Sequence, residues 1–206
     1  MNGKERKMLD DALIERYEGL IFDMDGTVID TMPSHAKAWE MVGERFGYPL
    51  NGQVMYELGG APVRVIAQEM MKRAEMPPHF LEEVITLKRQ FGKELLLKEA
   101  TLLPAAQIVK NYFGRKPLAL GTGSHRVMTD LLMDKLALRS YFDAIVAAED
   151  VTKHKPDPET FLRCAELIKV KPQNCLVFED ADLGVQSALS GGMDVFDVRI
   201  KKIIKA

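Results

Sequence analysis

Asp23-Met24-Asp25-Gly26-Thr27 places two carboxylates two residues apart, just after the short apolar run Gly19–Phe22. In an extended strand, residues two apart face the same way, so both acids would stand over one pocket. Two close carboxylates ionise together cheaply only beside a cation. A hard divalent ion such as Mg²⁺ suits oxygen ligands. Asp23 could then attack phosphorus and form an acyl phosphate. Asp25 could protonate the leaving alkoxide and afterwards activate water. Gly26 would let the chain turn sharply. An isolated DxDG reads equally well as a turn with solvated acids. A calcium-binding loop does not fit, because no further acids and no terminal Glu follow at loop spacing.

Other polar groups also stand just beyond apolar runs. Thr122 and Ser124 lie in GTGS after Leu118–Leu120, where a hydroxyl and helix N-terminal N–H groups make an anion cradle. The same four residues read as a plain helix cap. Lys155 in KHKPDP is a point charge suited to a phosphoryl group and to Asp23. Lys153 and His154 stand beside it, so charge alone does not select Lys155. Glu179 and Asp180 end the run CLVFED and are candidates for the remaining metal ligands, while Asp182 is expected to open the following helix.

These groups would converge only if the runs are strands of one sheet. LALGTGS (118–124), AIVAAED (144–150) and CLVFED (175–180) are runs similar to Gly19–Phe22 and each precede a helical pattern, and MDVFDV reads as a last strand. Asp157 and Pro158 are expected as N-cap and first residue of one helix, and Gly191–Gly192 end another. Strands alternating with helices predict a doubly wound, parallel α/β sheet, a Rossmann-like core. Ligands bind such sheets at the C-terminal strand ends. Residues 36–100 break the alternation. Ala36–Phe46, Val63–Ala74 and Phe80–Leu97 carry apolar spacings of three and four and read as helices. The expected organisation is an N-terminal helical extension at 1–18, a core at 19–34 and 101–206, and an inserted all-helical cap at 35–100.

Composition sets outer bounds. The chain has 206 residues with 47% hydrophobic and 28% charged, enough apolar material for one core with a sizeable insert. A net charge of −2 gives no global field for nucleic acid or a membrane surface, so none is expected as a partner. Cys164 and Cys175 suit no metal motif, and Cys164 reads as a buried thiol in a helix. A reducing compartment, a charged N-terminus without a signal-peptide core and no bilayer-length apolar run together predict a cytoplasmic protein. The sequence leaves oligomeric state open.

The sequence resembles the haloacid dehalogenase superfamily, in the branch with a helical cap inserted after the first strand. DMDGTVIDT looks like the first motif of that family, GTGS the second, the KP of KHKPDP the third and FEDADLG the fourth. The four occur in order over residues 19–200 and are specific as a set. The resemblance implies Asp23 as nucleophile, Asp25 as acid and base, and Thr122 and Lys155 as phosphoryl and charge stabilisers. It implies Mg²⁺ held by the Asp23 side chain, the Asp25 main-chain carbonyl and Asp180, with Glu179 near or ligating. Within the superfamily the chain is similar to fructose-1-phosphatase-like proteins and the adjoining β-phosphoglucomutases. The expected activity is therefore Mg²⁺-dependent hydrolysis of a small sugar phosphate of the fructose 1-phosphate type.

The cap is harder to read. In the phosphoglucomutase relatives a histidine contacts the acid/base aspartate at the place of His35. Here His35 is either functional or an exposed hinge residue. Trp39 is expected to pack inside the cap rather than wall the pocket. Arg64 either meets the substrate or is a solvated helix charge. The mutase relatives carry a lysine and, four residues later, an arginine where this chain has Gly59 and Val63. A sugar phosphomutase is thus the weaker enzymatic alternative, and an idle phosphosugar-binding protein a second. A dehalogenase is unexpected, because those relatives lack the second aspartate. A phosphonate hydrolase is unexpected too, for want of a clear cap lysine placed to form a Schiff base.

Overall fold

The computed structural model describes residues 8–206. Of the expected N-terminal extension, residues 1–7 lie outside the described residues. The rest forms one helical turn, α1 (Asp11–Ile14), whose first turn is capped by the Asp10 carboxylate accepting from Ala12 N. Ile14 and Tyr17 bury themselves against the core, so this segment is docked on it.

The main sheet has the order β5-β4-β1-β6-β7-β8. Its first five strands in that order are parallel: β1 (Gly19–Phe22), β4 (Leu118–Gly121), β5 (Ala144–Val146), β6 (Cys175–Glu179) and β7 (Asp194–Asp197). The MDVFDV strand is not the last one. β8 (Lys202–Ile204) folds back antiparallel along β7 and closes that edge. Both faces of the sheet are buried, and the period of two sorts its residues between them. Leu20, Phe22, Leu120 and Phe178 face α6 (Ala105–Tyr112) and α7 (Arg126–Lys135). Ile21, Ala119, Val177 and Val195 face α8 (Glu159–Leu167) and α9 (Asp182–Ser190). Phe22 and Phe178 are register partners on β1 and β6, and their rings stack 4.5 Å apart. The α8 start differs from expectation by one residue. Pro158 occupies the cap position, and the Asp157 carboxylate accepts from Glu159 N at 3.0 Å.

Residues between β1 and α6 leave the sheet. A two-stranded antiparallel ribbon, β2 (Ile29–Asp30) with β3 (Thr101–Leu102), stands where the chain departs and returns. Between them lie α2 (Met32–Phe46), α3 (Val54–Glu57), α4 (Val63–Arg73) and α5 (Leu81–Glu99). The helix expected from Ala36 begins four residues earlier, because Pro33 in its first turn needs no N–H partner. The ribbon and the short α3 carry too few residues for a periodic signal. These helices enclose their own apolar cluster, including Trp39, Val42, Ile66, Met70 and Val84, separate from the two sheet clusters. Both cysteines are buried and unbridged, and burial raises both thiols, Cys175 to about 12. Among the described residues no helix is long and apolar enough to cross a membrane.

Candidate active site

The C-terminal ends of β1, β4 and β6 meet beneath the inserted helices. β1 pairs with β4 on one side and β6 on the other, so this is where the strand order reverses. The β1–β6 ladder continues one residue past β1, with Asp23 N donating to Phe178 O at 3.0 Å. The β4–β5 ladder continues likewise, from Thr122 N to Val146 O at 2.9 Å. Buried backbone pairing thus fixes the two side chains that begin the pocket.

Asp23 is 5% exposed, and its Oδ1 accepts from Lys155 Nζ at 2.6 Å. Its other carboxylate oxygen has no hydrogen bond among the described residues. Lys155, 3% exposed, also donates to Glu179 Oε1 at 2.7 Å and lies 4.4 Å from the Phe161 ring centroid. Burial alone would lower the Lys155 pKa, but Asp23 and Glu179 overcome it and hold the ammonium charged. Glu179 Oε2 accepts from Ala181 N at 2.7 Å, so both its oxygens are engaged. A side chain at Gly184 would collide with that carboxylate, which explains the glycine there.

Asp180 Oδ1 accepts from Thr27 Oγ1 at 3.0 Å. Gly26, at φ +82°, lets the β1 loop pass so close that a Cβ would strike this same carboxylate. Asp23, Glu179 and Asp180 each offer an oxygen within 4.8 Å of the others. One ammonium faces three carboxylates. Burial first, and then the charge of Glu179, push Asp180 up to about 7. Burial and the three neighbouring acids likewise raise Asp23, against the opposing pull of Lys155. An oxygen cluster with surplus negative charge fits a hard divalent cation. Asp23 and Asp180 each keep an oxygen without a hydrogen bond among the described residues, whereas both oxygens of Glu179 already accept one.

Asp25 turns away from this cluster. Its Oδ2 accepts from Ser124 Oγ at 2.6 Å and from Thr122 Oγ1 at 3.3 Å. Its Oδ1, buried and without a hydrogen bond, lies 3.4 Å from His35 Nε2. Burial would raise its pKa, but His35 and Ser124 outweigh burial and hold it well below the usual carboxylate range. Its side chain therefore lies with the hydroxyls, not with the cation cluster. Only its main chain is left for the ligand role that the family likeness implies.

His35 is buried rather than an exposed hinge residue. Its Nδ1 stands 2.9 Å from Lys88 Nζ. With the ammonium as donor, Nδ1 accepts and the ring proton sits on Nε2, facing Asp25. Burial and the Lys88 charge lower the His35 pKa, which keeps the ring neutral. Burial brings the Lys88 pKa down to about 8. Sequence reasoning missed Lys88 and so discounted any cap lysine at the site. A signal was available: Val84, Ile85, Lys88, Gly92 and Leu96 form the buried stripe of α5, and a lysine breaks its apolar character. Lys88 is committed to His35, with the Trp39 ring centroid 5.6 Å away. Trp39 does pack in the inserted helices, yet it also lines the cavity, with Nε1 unpartnered.

These residues share one cavity of about 440 Å³, a size suited to a small molecule. Asp23, Asp25, His35, Thr122, Ser124, Glu179 and Asp180 line it; Lys155 lies behind Asp23 and Glu179. Arg64 does not reach it. Arg64 forms a two-bonded ion pair with Glu82 on the surface, at 2.6 and 2.9 Å. Gly59, at the place of the mutase lysine, abuts the core: a Cβ there would lie 3.0 Å from the Ala181 Cβ.

The haloacid dehalogenase-like hydrolase family model matches residues 20–198. Fructose-1-phosphate phosphatase YqaB of Escherichia coli (strain K12) is 46% identical, over 91% of this chain and 100% of that protein. A phosphorylated carbohydrates phosphatase of Thermotoga maritima is 33% identical, over 86% of this chain and 82% of that one. Among solved structures, a putative β-phosphoglucomutase from Thermotoga maritima superposes with TM-score 0.68 and 30% identity, covering 87% of this chain and 84% of the other.

Proposed function

We infer the activity from one premise: the chain belongs to the haloacid dehalogenase-like hydrolases and is a phosphoric monoester hydrolase. The finer reading is hydrolysis of a small sugar phosphate of the fructose 1-phosphate type, dependent on Mg²⁺, through a phosphorylated Asp23. The observation that carries it is the division of labour between two buried carboxylates. Asp23 is held by Lys155 through one oxygen and keeps the other free, as a positioned nucleophile requires. Asp25, on the hydroxyl side, is set up for proton transfer instead.

In the first step an Asp23 oxygen attacks phosphorus, the bond from phosphorus to the sugar oxygen breaks, and Asp25 gives its proton to that oxygen. The free protein holds Asp25 ionised. A phosphorylated ligand beside it adds negative charge and raises its proton affinity, so Asp25 takes up a proton from solvent as the ligand binds and has it to give in the first step. In the second step Asp25 takes a proton from water, the water oxygen attacks phosphorus, and Asp23 leaves as carboxylate. Lys155 balances charge on Asp23 throughout, and Thr122 and Ser124 can turn their hydroxyls from Asp25 to the phosphoryl oxygens. Asp23 and Asp180, with the Asp25 main-chain carbonyl, would hold Mg²⁺, which supplies charge neutralisation for the transferring group.

Hydrolysis is favoured over phosphoryl return because Gly59 and Val63 offer no cation and Arg64 is engaged with Glu82. The test is phosphate release from a panel of sugar phosphates, with Mg²⁺ and after chelation. Fructose 1-phosphate should release phosphate only with the metal. β-Glucose 1-phosphate with a trace of glucose 1,6-bisphosphate should yield free phosphate. Efficient conversion to glucose 6-phosphate with little free phosphate would overturn the hydrolytic reading.

A further inference from the structure

The mouth of the cavity carries positive charge that the chemistry above does not use. Arg89 and Lys93 lie one turn apart on α5, and both line the same cavity as Asp23. Like charges at that spacing repel, a small cost that favours a negative partner between them. No ion pair with a carboxylate joins either cation among the described residues.

Arg89 is nonetheless held in place. Its Nη2 donates to His125 Nε2 at 2.7 Å. His125 Nδ1 stands 2.8 Å from Glu149 Oε1, and Glu149 Oε2 accepts from Arg126 N at 2.8 Å. For Nε2 to accept, the ring proton must sit on Nδ1 and point at Glu149. The chain from Arg126 N through Glu149 and His125 thus fixes the guanidinium across the gap between α5 and the loop after β4. One guanidinium nitrogen is spent on the His125 ring. The remaining donors have no hydrogen bond to a described residue, and Arg89 is exposed at the mouth. Glu149 is the acid on this rim, and its two oxygens are both engaged.

We propose that Arg89, fixed by His125 and seconded by Lys93, is an anion subsite at the pocket mouth. It recognises a second acidic group, phosphate or carboxylate, at the end of the sugar phosphate remote from Asp23. The subsite deepens the phosphatase reading and rests on it for the orientation of the ligand, reacting phosphate inward and second acid outward. A guanidinium fork matches the oxygens of either acid. Because Arg89 is open to solvent, the subsite aids selection more than it retains a product, which is consistent with hydrolysis.

The test separates binding from turnover. Two matched pairs are titrated calorimetrically with Mg²⁺ against the Asp23→Asn protein, which should not turn them over. The pairs are fructose 1-phosphate with fructose 1,6-bisphosphate, and glucose 6-phosphate with gluconate 6-phosphate. The member with the second acid should bind about tenfold more tightly, the scale of one charge-assisted hydrogen bond. The first pair reads phosphate and the second carboxylate, and preference in either supports the subsite. Adding Arg89→Gln should remove most of that ratio, and Lys93→Gln a smaller part. A role in holding the fold alone would weaken both members of a pair alike and leave the ratio unchanged. Equal binding within both pairs, or a ratio that survives Arg89→Gln, overturns the proposal. Phosphate release by the wild-type protein is read separately. Its absence alongside an intact binding ratio would refute the hydrolytic reading and leave the subsite standing.

Discussion

The sheet and the inserted helices each bring a buried lysine to the site, Lys88 to the cavity wall and Lys155 behind it, and they treat the two differently. Lys155, from the sheet side, is locked between two carboxylates at 2.6 and 2.7 Å. Lys88, from α5, is also buried and has only a neutral imidazole within hydrogen-bond distance. The consequences run opposite ways: Lys155 is held charged more firmly than a free lysine, and Lys88 is brought down to about 8. The sheet side has paired charges that fix geometry. The helical side sets its cations against imidazole rings, Lys88 on His35 and Arg89 on His125, and leaves the buried Trp39 Nε1 without a partner.

The largest effect should follow from breaking the sheet-side pair. Lys155→Met leaves Asp23 and Glu179 buried without their counter-charge. Loss of one partner of a buried ion pair costs about 3–5 kcal/mol. Thermal or urea unfolding should show a loss on that scale, together with collapse of phosphatase activity. An unchanged midpoint would mean that the pair does not hold the site.

Lys88→Met should act in the other direction on stability. A lysine with a folded pKa near 8 binds fewer protons when folded than when unfolded between that value and its ordinary value near 10.5. Stability therefore rises with pH across that window, and below pH 8 the buried ammonium destabilises the fold. Removing it should stabilise the protein at pH 7 by roughly 1–3 kcal/mol, while lowering kcat/KM because His35 loses the donor that fixes its tautomer. A methionine variant that is less stable at pH 7 would break the contrast between the two lysines.

Arg64→Ala should do least. Its partner Glu82 is exposed, and exposed pairs contribute little. Unfolding midpoint and kcat/KM toward fructose 1-phosphate should both stay close to wild type. A large rise in KM would show that the helix brings Arg64 to the ligand after all.

The same contrast explains what the sequence made legible. Strand ends announce themselves: an apolar run stops at an acid or hydroxyl, and the period of two says which way it points. Asp23, Asp25, Thr122, Ser124, Glu179 and Asp180 were all readable in this way, with the sheet that gathers them. Lys155 was separable from Lys153 and His154 only by likeness to a family motif. The inserted helices offer no such stops. A lysine on a helix is ordinary, and only its place on the buried stripe of α5 distinguishes Lys88. Arg89 and His125 meet across 36 residues of sequence, through tertiary packing that no local spacing encodes. Strand β8 and the β2–β3 ribbon escaped because two or three residues are too few to show a period.

The central claim is that Asp23 becomes covalently phosphorylated while Asp25 handles protons. Asp25→Asn separates the two roles, since it keeps the nucleophile and removes the base that activates water. That loss is worth roughly 10²–10⁴ in rate. The direct measurement is acid-quench mass spectrometry of Asp25→Asn mixed with Mg²⁺ and an activated phosphate monoester, whose leaving group needs no proton. The prediction is a protein heavier by one phosphoryl group, with the added mass on the peptide containing Asp23 and absent when Asp23→Asn is added. Phosphate release at the wild-type rate with no phosphorylated protein at any quench time, or the added mass on another residue, would contradict it.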